Sequence, residues 1–255
     1  MVIDLNAPWL VGFLLALVRA LAWLLIVPPL GNRSVFPPVA TIGIALSLAV
    51  AVAPHVAGSQ LSLTTPSLIG DMAVQVLTGA ALGFIVQLLV GAVTAAGALL
   101  DLFGGLVLPP SLDPLSADQT PLLGQFYEQV AVVLLFAGNG ELLIVEGFLR
   151  SFDAVGLSLS SAGNIAHVVS SDLATFFTAA LEIAAPVLVV LFGAQVVLGM
   201  LSKAVPQMNV YWLGFPFQIL LTFLLLGASV TVLPGFVNTL VGNAVHDGAL
   251  LIGAG

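Results

Sequence analysis

Residues 67–107 read SLIGDMAVQVLTGAALGFIVQLLVGAVTAAGALLDLFGGLV, an apolar stretch in which two aspartates are the only charged residues. At 1.5 Å per residue, a helix of this length would extend roughly 60 Å, about twice the hydrocarbon thickness of a bilayer. The stretch therefore predicts two helices, one broken helix, or a single helix that projects well beyond the membrane.

The composition of the whole chain narrows the class of protein. Of its 255 residues, 60% are hydrophobic and 6% are charged, and the mean hydropathy is +1.21. Ordinary soluble domains carry about 25% charged residues, so a soluble enzyme and a disordered regulator are excluded. The net charge of −8 also excludes nucleic acid as a partner, because no basic patch can form to neutralise phosphates. We expect a protein that lies in a membrane or assembles there.

Further apolar stretches predict an all-α fold. They cover residues 9–30, 39–56, 122–137, 141–152, 173–201, 212–232 and 234–255. The 15 prolines and 26 glycines favour membrane-associated helical hairpins with kinked or broken long helices over smooth spans. Since no low-complexity linker divides the chain, residues 1–255 are predicted to form a single helical domain.

The stretch 173–201 has a candidate N-terminal cap, and the basic residues on either side of it conflict with a simple membrane topology. Asp172 precedes it as a candidate N-cap, and Pro186 lies inside it. Arg150 and Lys203 lie in the predicted loops on either side, so simple alternation of loops cannot place both on the cytoplasmic side. Either the stretch is a re-entrant hairpin, or the hairpins do not cross lipid in the usual way.

Small residues follow a regular spacing in the middle of the long stretch. Gly79, Gly83 and Gly91 lie four and eight residues apart, and the first pair matches the small-x-x-x-small pattern of closely packed helices. The pattern favours a specific helix-packing seam, whereas generic packing of an apolar helix is the alternative.

Four ionisable residues lie within apolar stretches: Arg19, Asp71, Asp101 and Glu182. Charge at membrane depth is costly, so each is a candidate for a proton relay or ion coupling. The alternative is that they pair or face a watery lumen and so stabilise an assembly. Asp71 and Asp101 also lie near predicted helix ends, where a carboxylate costs little.

No catalytic or cofactor motif is present in the sequence. There is no nucleophile elbow, no zinc-protease helix and no P-loop, and the chain has no cysteine. His55, His167 and His246 are isolated from one another, which argues against a metal site. We therefore expect a protein that is not an enzyme and that binds no cofactor and no metal.

The most specific local pattern lies at residues 199–216, which read GMLSKAVPQMNVYWLGFP. This segment resembles the FliR/SctT family, the export-gate proteins of flagellar and virulence type III secretion systems. The positions that match the family pattern are Lys203, Pro206, Gln207, Gly214, Phe215 and Pro216.

The resemblance extends in order over about 200 residues. Its other parts are Arg19 in the first apolar stretch, the P-x-x-G-x-R-S turn that contains Arg33, Ala96-Gly97 with Gly104-Gly105, and Asn139-Gly140. The chain departs from the family at Glu141, where a histidine is common, and it is more acidic than is usual for the family.

The resemblance implies a non-enzymatic subunit of the type III protein export gate, with a flagellar system as the first choice and a virulence injectisome as the other. Its implied partners are FliP-like and FliQ-like gate subunits, FlhB-like and FlhA-like export proteins, and secreted proteins in transit. Its implied location is the bacterial inner (cytoplasmic) membrane at the base of the basal body.

The resemblance also implies a channel and a plug that closes it. The plug loop would span about residues 107–121, with Leu108, Leu112, Asp113, Pro114 and Leu115 as candidates.

Two other functions fit the sequence less well. A stand-alone ion-coupled secondary transporter could use Glu182, Asp101 and a helix break at Pro186 as its coupling site. A structural membrane scaffold would assemble without any conducting path.

Overall fold

A computed structural model describes residues 7–28, 30–31, 36–56, 65–107, 121–154, 162–205 and 210–251. These ranges contain helices and no strand, which confirms the all-α prediction. The helices are α1 (Ala7–Ile26), α2 (Pro38–Val56), α3 (Thr65–Phe103), α4 (Leu122–Ala137), α5 (Gly140–Ala154), α6 (Ala162–Ala204) and α7 (Val210–Leu251).

Residues 67–103 of the long apolar stretch belong to one continuous helix. Helix α3 has 39 residues and contains proline only in its first turn, at Pro66. At 1.5 Å per residue it is about 58 Å long, so of the three arrangements that the stretch allows, the structure has the single long helix. Helices α6 and α7, with 43 and 42 residues, are similarly long.

Two predicted helix boundaries are wrong. Helix α6 begins at Ala162, so Asp172 lies within it and is not an N-cap, and the helix continues through Pro186 without the break that a transporter site would use. Helix α7 likewise continues through Pro234. Proline is tolerated inside apolar helices because neighbouring groups satisfy the backbone carbonyl that it leaves free.

The chain divides into two compact units. Unit 1 comprises Met1–Leu89, Asn139–Ala174 and Val241–Gly255, and unit 2 comprises Val90–Gly138 and Thr175–Leu240. The prediction of a single domain over residues 1–255 stays a prediction.

The core of unit 1 is formed where α1 packs on α2. Leu15 and Ala16 of α1 contact Ala49 and Val52 of α2, and all four are buried. The two residues on α2 are three apart, and Val11, four residues before Leu15 on α1, packs against the same cluster, as expected for two apolar helix faces. In the same unit, Trp23 stacks on Phe148 of α5, with ring centroids 4.4 Å apart. Apolar contacts therefore join α1 to α2 and to α5 in unit 1.

The core of unit 2 includes one face of α4. Its buried residues are Leu123, Gly124, Tyr127, Ala131 and Leu135, which recur at helical spacing. The Tyr127 hydroxyl shares a hydrogen bond of 2.7 Å with the Ser229 hydroxyl of α7. A buried tyrosine needs such a polar partner, so this bond fixes how α4 faces α7.

Within the described residues, four helices are long and apolar enough to cross a membrane, and there are up to five spans if α4 and α5 together form one broken span. The membrane-length windows of α1 and α3 are 39% and 61% buried within the protein, whereas those of α6 and α7 are only 22% and 17% buried. The protein is therefore a membrane protein in which α6 and α7 leave most of their apolar surface uncovered by this chain.

Candidate functional site: the helix ends that flank residues 108–120

The predicted plug candidates lie outside the described residues. These candidates are Leu108, Leu112, Asp113, Pro114 and Leu115. The described structure stops at Val107 and resumes at Pro121. The site can therefore be built from the two helix ends that hold this segment, both of which belong to unit 2.

The first flank is the C-terminal end of α3. The N–H of Gly104 donates to the carbonyl of Leu100 at 2.7 Å, and the N–H of Leu106 donates to the carbonyl of Asp101 at 3.1 Å. Gly105 has a φ of +74°, which a side chain would strain. A left-handed glycine followed by a hydrogen bond across five residues is the common way for a helix to stop. The sequence therefore ends α3 sharply, just before the predicted plug loop.

The second flank is the N-terminal end of α4, which has no cap of its own. Pro121 occupies the N-cap position, makes no side-chain cap hydrogen bond, and is followed by no acidic residue in the first turn. The first N–H groups of a helix have no partner within the helix and must find one elsewhere.

Asp101 of α3 supplies that partner. Its Oδ1 accepts from the N–H of Leu123 and its Oδ2 accepts from the N–H of Gly124, both at 3.0 Å. The carboxylate is completely buried. A negative charge at the N-terminal end of a helix also interacts favourably with the helix dipole. Asp101 therefore caps α4 from a different helix.

Close backbone contact makes this cap possible. A Cβ placed on Gly97 would lie 2.5 Å from the carbonyl oxygen of Leu123, and one on Gly124 would lie 3.4 Å from the carbonyl oxygen of Thr94. Only glycine allows the backbones of α3 and α4 to approach so closely. Gly97 therefore brings the first turn of α4 within reach of Asp101.

The carbonyl of Phe103, at the end of α3, is also satisfied from other helices. Gln195 of α6 donates its side-chain N–H to this oxygen at 3.1 Å, and Gln218 of α7 does so at 3.5 Å. The last carbonyls of a helix lack partners within the helix. Two glutamine amides thus fix the position at which the chain leaves α3.

The family motif lies next to these glutamines. A Cβ on Gly105 would come 3.5 Å from the ring of Phe215, and one on Gly214 would come 2.9 Å from a methyl group of Leu198. Gly214, Phe215, Gln195 and Gln218 contribute to the wall of a cavity of about 320 Å³ between α6 and α7.

The remaining motif residues are not gathered at this cavity wall. Lys203 is exposed in the last turn of α6, where a positive charge interacts favourably with the helix dipole. Pro216 is exposed within α7. Pro206, Gln207 and Arg33 lie outside the described residues.

Unit 1 contains a separate buried polar cluster around Arg19. Its Nε donates to Oε1 of Gln75 at 2.6 Å, and one terminal nitrogen donates to the carbonyl of Ser151 at 2.8 Å and to its hydroxyl at 3.2 Å. The guanidinium carbon lies 4.2 Å from the ring centre of Phe152. Arg19 thus joins α1, α3 and α5 through neutral acceptors and an aromatic ring.

The glycines of the predicted seam lie in both units. A Cβ on Gly79 would clash with the carbonyl oxygen of Arg19, and one on Gly83 would lie 2.9 Å from that of Trp23. Gly91 belongs to unit 2, where an added Cβ would lie 3.3 Å from the ring of Phe176. Two of the three predicted seam residues therefore lie against α1, and the third lies against α6.

The break between α4 and α5 depends on Asn139, which has a φ of 54°. Asparagine is one of the few residues that adopts this left-handed conformation at modest cost. Gly140 follows as the first residue of α5 and is buried.

Glu182 and the histidines form no convergent site in the described residues. Glu182 is exposed on α6 and Asp71 is half-buried on α3. Within the same ranges, no three His, Asp or Glu side chains come together in a way that could hold a metal ion.

Sequence reasoning placed Asp101 near a helix end but missed what it binds. The sequence does contain a signal for this contact. The start of α4 reads Pro-Leu-Leu-Gly, which offers no side chain that can cap the helix, and an aspartate lies within an apolar stretch near the end of the preceding helix. The roles of Gln195 and Gln218 were missed entirely, because a lone glutamine in an apolar helix has no distinctive spacing.

Comparison with known proteins identifies the family. A family model described as bacterial export proteins, family 1, matches residues 10–244. The flagellar biosynthetic protein FliR of Bacillus subtilis (strain 168) is 29% identical over 227 residues, which cover 87% of each chain.

Two more relatives come from different systems. The flagellar biosynthetic protein FliR of Escherichia coli (strain K12) is 28% identical over 231 residues, covering 89% of this chain and 87% of the relative. The Yop proteins translocation protein T of Yersinia pestis is 27% identical over 238 residues, covering 89% and 88%. The match to the family model spans most of the chain, which therefore belongs to the bacterial export proteins, family 1, that is, the FliR/SctT family of type III export proteins.

Proposed function

We propose that this protein forms part of the protein-conducting channel of a type III export gate, and that residues 107–121 close that channel. That it acts in an export apparatus follows from its family, whose members here are flagellar and type III secretion proteins. The proposal adds the channel, the plug and a location in the bacterial inner membrane. A flagellar system is the first choice, since the relatives at 29% and 28% identity are both flagellar.

The observation that carries the proposal is the double attachment at Asp101. Its backbone carbonyl binds Leu106 at one end of the predicted plug loop, and its carboxylate binds Leu123 and Gly124 at the other end. Both ends are therefore tied to one residue. The segment between them contains prolines, which restrict an extended backbone, and leucines, which can seal a narrow pore.

The uncovered surfaces of α6 and α7 support assembly with other subunits. Large apolar side chains remain exposed along both helices, for example Val189 at 71% and Leu224 at 69%. FliP-like and FliQ-like subunits are the proposed partners within the gate, with FlhB-like and FlhA-like proteins beside it.

Deletion of the gene tests the function as a whole. Secretion of flagellar export substrates should be lost and should return when the gene is supplied on a plasmid. If the system is an injectisome, secretion of its effector proteins should be lost instead. Normal secretion of both classes in the deletion strain would contradict the proposal.

A second experiment tests the plug. Replacing residues 112–115 with glycine should make the assembled gate leak ions and small solutes, because the sealing side chains would be removed. The matched control replaces residues 59–62, which lie between α2 and α3 in the sequence, with glycine. Equal membrane permeability in the two variants would rule out the assignment.

Co-purification tests the partners. The tagged chain, extracted in a mild detergent, should bring down two small helical membrane proteins. A chain that purifies alone and catalyses solute uptake after reconstitution would instead favour the transporter alternative.

A further inference from the structure

Helix α6 has an inner and an outer face within unit 2. The residues that it buries recur every three or four positions: Ala179, Ala180, Ile183, Ala184, Val187 and Leu191. The opposite face is exposed and apolar, with Val189 at 71% and Val196 at 46%. The chain covers only one side of this helix.

The outer face of α6 carries a regular line of residues. Glu182, Val189, Val196 and Lys203 are seven residues apart, and all four are exposed. Seven residues make nearly two helical turns, so these side chains form one stripe along the helix, here called the α6 stripe. The spacing is that of a helix–helix seam in a coiled coil.

The α6 stripe has opposite charges at its two ends. Glu182 and Lys203 are 21 positions apart, or about 31 Å along the axis. The 20 residues between them, 183–202, contain no charged side chain. The stripe is therefore an apolar surface with an acid at one end and a base at the other.

The described part of the chain provides no partner for Glu182. No hydrogen bond or ion pair involves its carboxylate among these residues, Arg150 pairs with Glu146, and Arg19 is bound to Gln75 and Ser151. Lys203 is far along the same helix. A carboxylate on an apolar surface that becomes buried is costly unless a positive charge compensates it.

We propose that the α6 stripe binds an apolar helix of a partner subunit that carries a lysine or arginine level with Glu182 and an acidic residue level with Lys203. The apolar residues between the two pairs would supply contact area, and the charged pairs would fix the register and orientation of the partner helix. The inference rests on the proposed function, because it assumes that the chain works within a multi-subunit gate.

Site-specific photo-crosslinking tests which molecule covers the stripe. A photoreactive amino acid at Val189, and separately at Val196, in the full chain within membranes should crosslink to the same partner subunit. The control position is Val190, which is 43% exposed and points about 100° away around the helix. It should give at least a several-fold lower yield of that product. Crosslinks from the stripe to lipid only, or to a second copy of this chain, would overturn the proposal.

Charge reversal tests the chemistry of the contact. Glu182→Lys should lower recovery of the crosslinked partner about tenfold, which corresponds to ~1.4 kcal/mol of binding free energy. Glu182→Gln should have a smaller effect, since it removes attraction without adding repulsion. The control Glu146→Lys changes an exposed acid on α5 and should leave recovery unchanged.

Restoration by a second substitution completes the test. Changing the basic residue of the partner to glutamate should restore recovery with Glu182→Lys but not with the unchanged chain. Unchanged recovery with Glu182→Lys would overturn the inference while leaving the export function intact. Normal secretion in the deletion strain would overturn the proposed function instead, so the two failures are distinguishable.

Discussion

The two units each bury one charged side chain completely, and they stabilise it in different ways. Arg19 in unit 1 binds a side-chain amide, a carbonyl, a hydroxyl and an aromatic ring that come from two other helices. Among the described residues, the carboxylate of Asp101 in unit 2 accepts from two backbone N–H groups in the first turn of α4. Arg19 therefore depends on neighbouring side chains, whereas Asp101 depends on where another helix begins.

This difference predicts different consequences of substitution. Loss of Arg19 should weaken a whole junction of helices, while loss of Asp101 should loosen one helix end. A buried charge can therefore stabilise the packing of several helices, or it can position a single segment. The hydrogen bonds that the charged side chain makes show which of the two roles it has.

The largest effect is expected for Arg19→Met. Arg19→Met leaves the buried Gln75 side chain and the Ser151 carbonyl without this donor, and each buried polar group left unsatisfied typically costs about 1–3 kcal/mol. Denaturant unfolding of the purified protein in detergent should show this loss. Arg19→Lys should recover only part of it, since an ammonium group cannot donate in the planar directions of a guanidinium. Equal stability of the Met and Lys variants would contradict this expectation and show that the positive charge by itself contributes nothing.

Asp101→Asn should cost less and act locally. The new amide replaces one acceptor with a donor, leaving an N–H of α4 unsatisfied at a cost of about 1–3 kcal/mol. Hydrogen exchange at Leu123 and Gly124 should accelerate while exchange around Arg19 stays the same. Glu128→Gln, one turn further along α4, is the matched control. Faster exchange throughout the protein would remove the distinction between the two buried charges.

Gly97→Ala tests the close approach that allows the Asp101 cap. Overpacking at such a contact typically costs about 1–3 kcal/mol, and here the added methyl meets the backbone of Leu123. Gly227→Ala in α7, where an added Cβ meets nothing within 4 Å, should be neutral or stabilising by up to ~1 kcal/mol. In detergent, the melting temperature should therefore fall for Gly97→Ala and stay the same or rise for Gly227→Ala.

The smallest effect is expected from the glutamines at the end of α3. Gln195→Leu should lower the free energy of unfolding by about 1 kcal/mol, the usual value of one hydrogen bond. Gln218→Leu should cost less, because its bond to the Phe103 carbonyl is longer, at 3.5 Å against 3.1 Å. Denaturant unfolding measures both losses. A larger loss for Gln218→Leu than for Gln195→Leu would show that Gln218 makes the stronger bond to the end of α3.

Helices whose ends are marked by proline, glycine or asparagine are predictable from the sequence. Helix α4 was predicted at residues 122–137, because Pro121 and the Gly138-Asn139-Gly140 turn mark its ends within the chain. The start of α6 is not predicted from the sequence. Residues 162–171 contain many polar residues and are only weakly apolar, so hydrophobic periodicity does not indicate a helix there.

The site was harder to predict than the fold for a physical reason. The partners of Asp101 are backbone atoms 22 and 23 residues further along the chain, and those of Arg19 are 56 and 132 residues away. For these charges we expected a relay or ion-coupling role, pairing with one another, or contact with a watery lumen, whereas the bonds described here are to neutral groups. Local spacing carries no information about such contacts.

The lengths of α3, α6 and α7 have a consequence for synthesis in the cell. Each is about 60 Å long, so a bilayer can cover only half of each helix. Before it meets its partners, a newly made copy exposes apolar surface that neither lipid nor its own chain covers. In the proposed assembly, other subunits would cover this surface, so we expect an unassembled copy to be degraded and its abundance to follow the supply of those subunits.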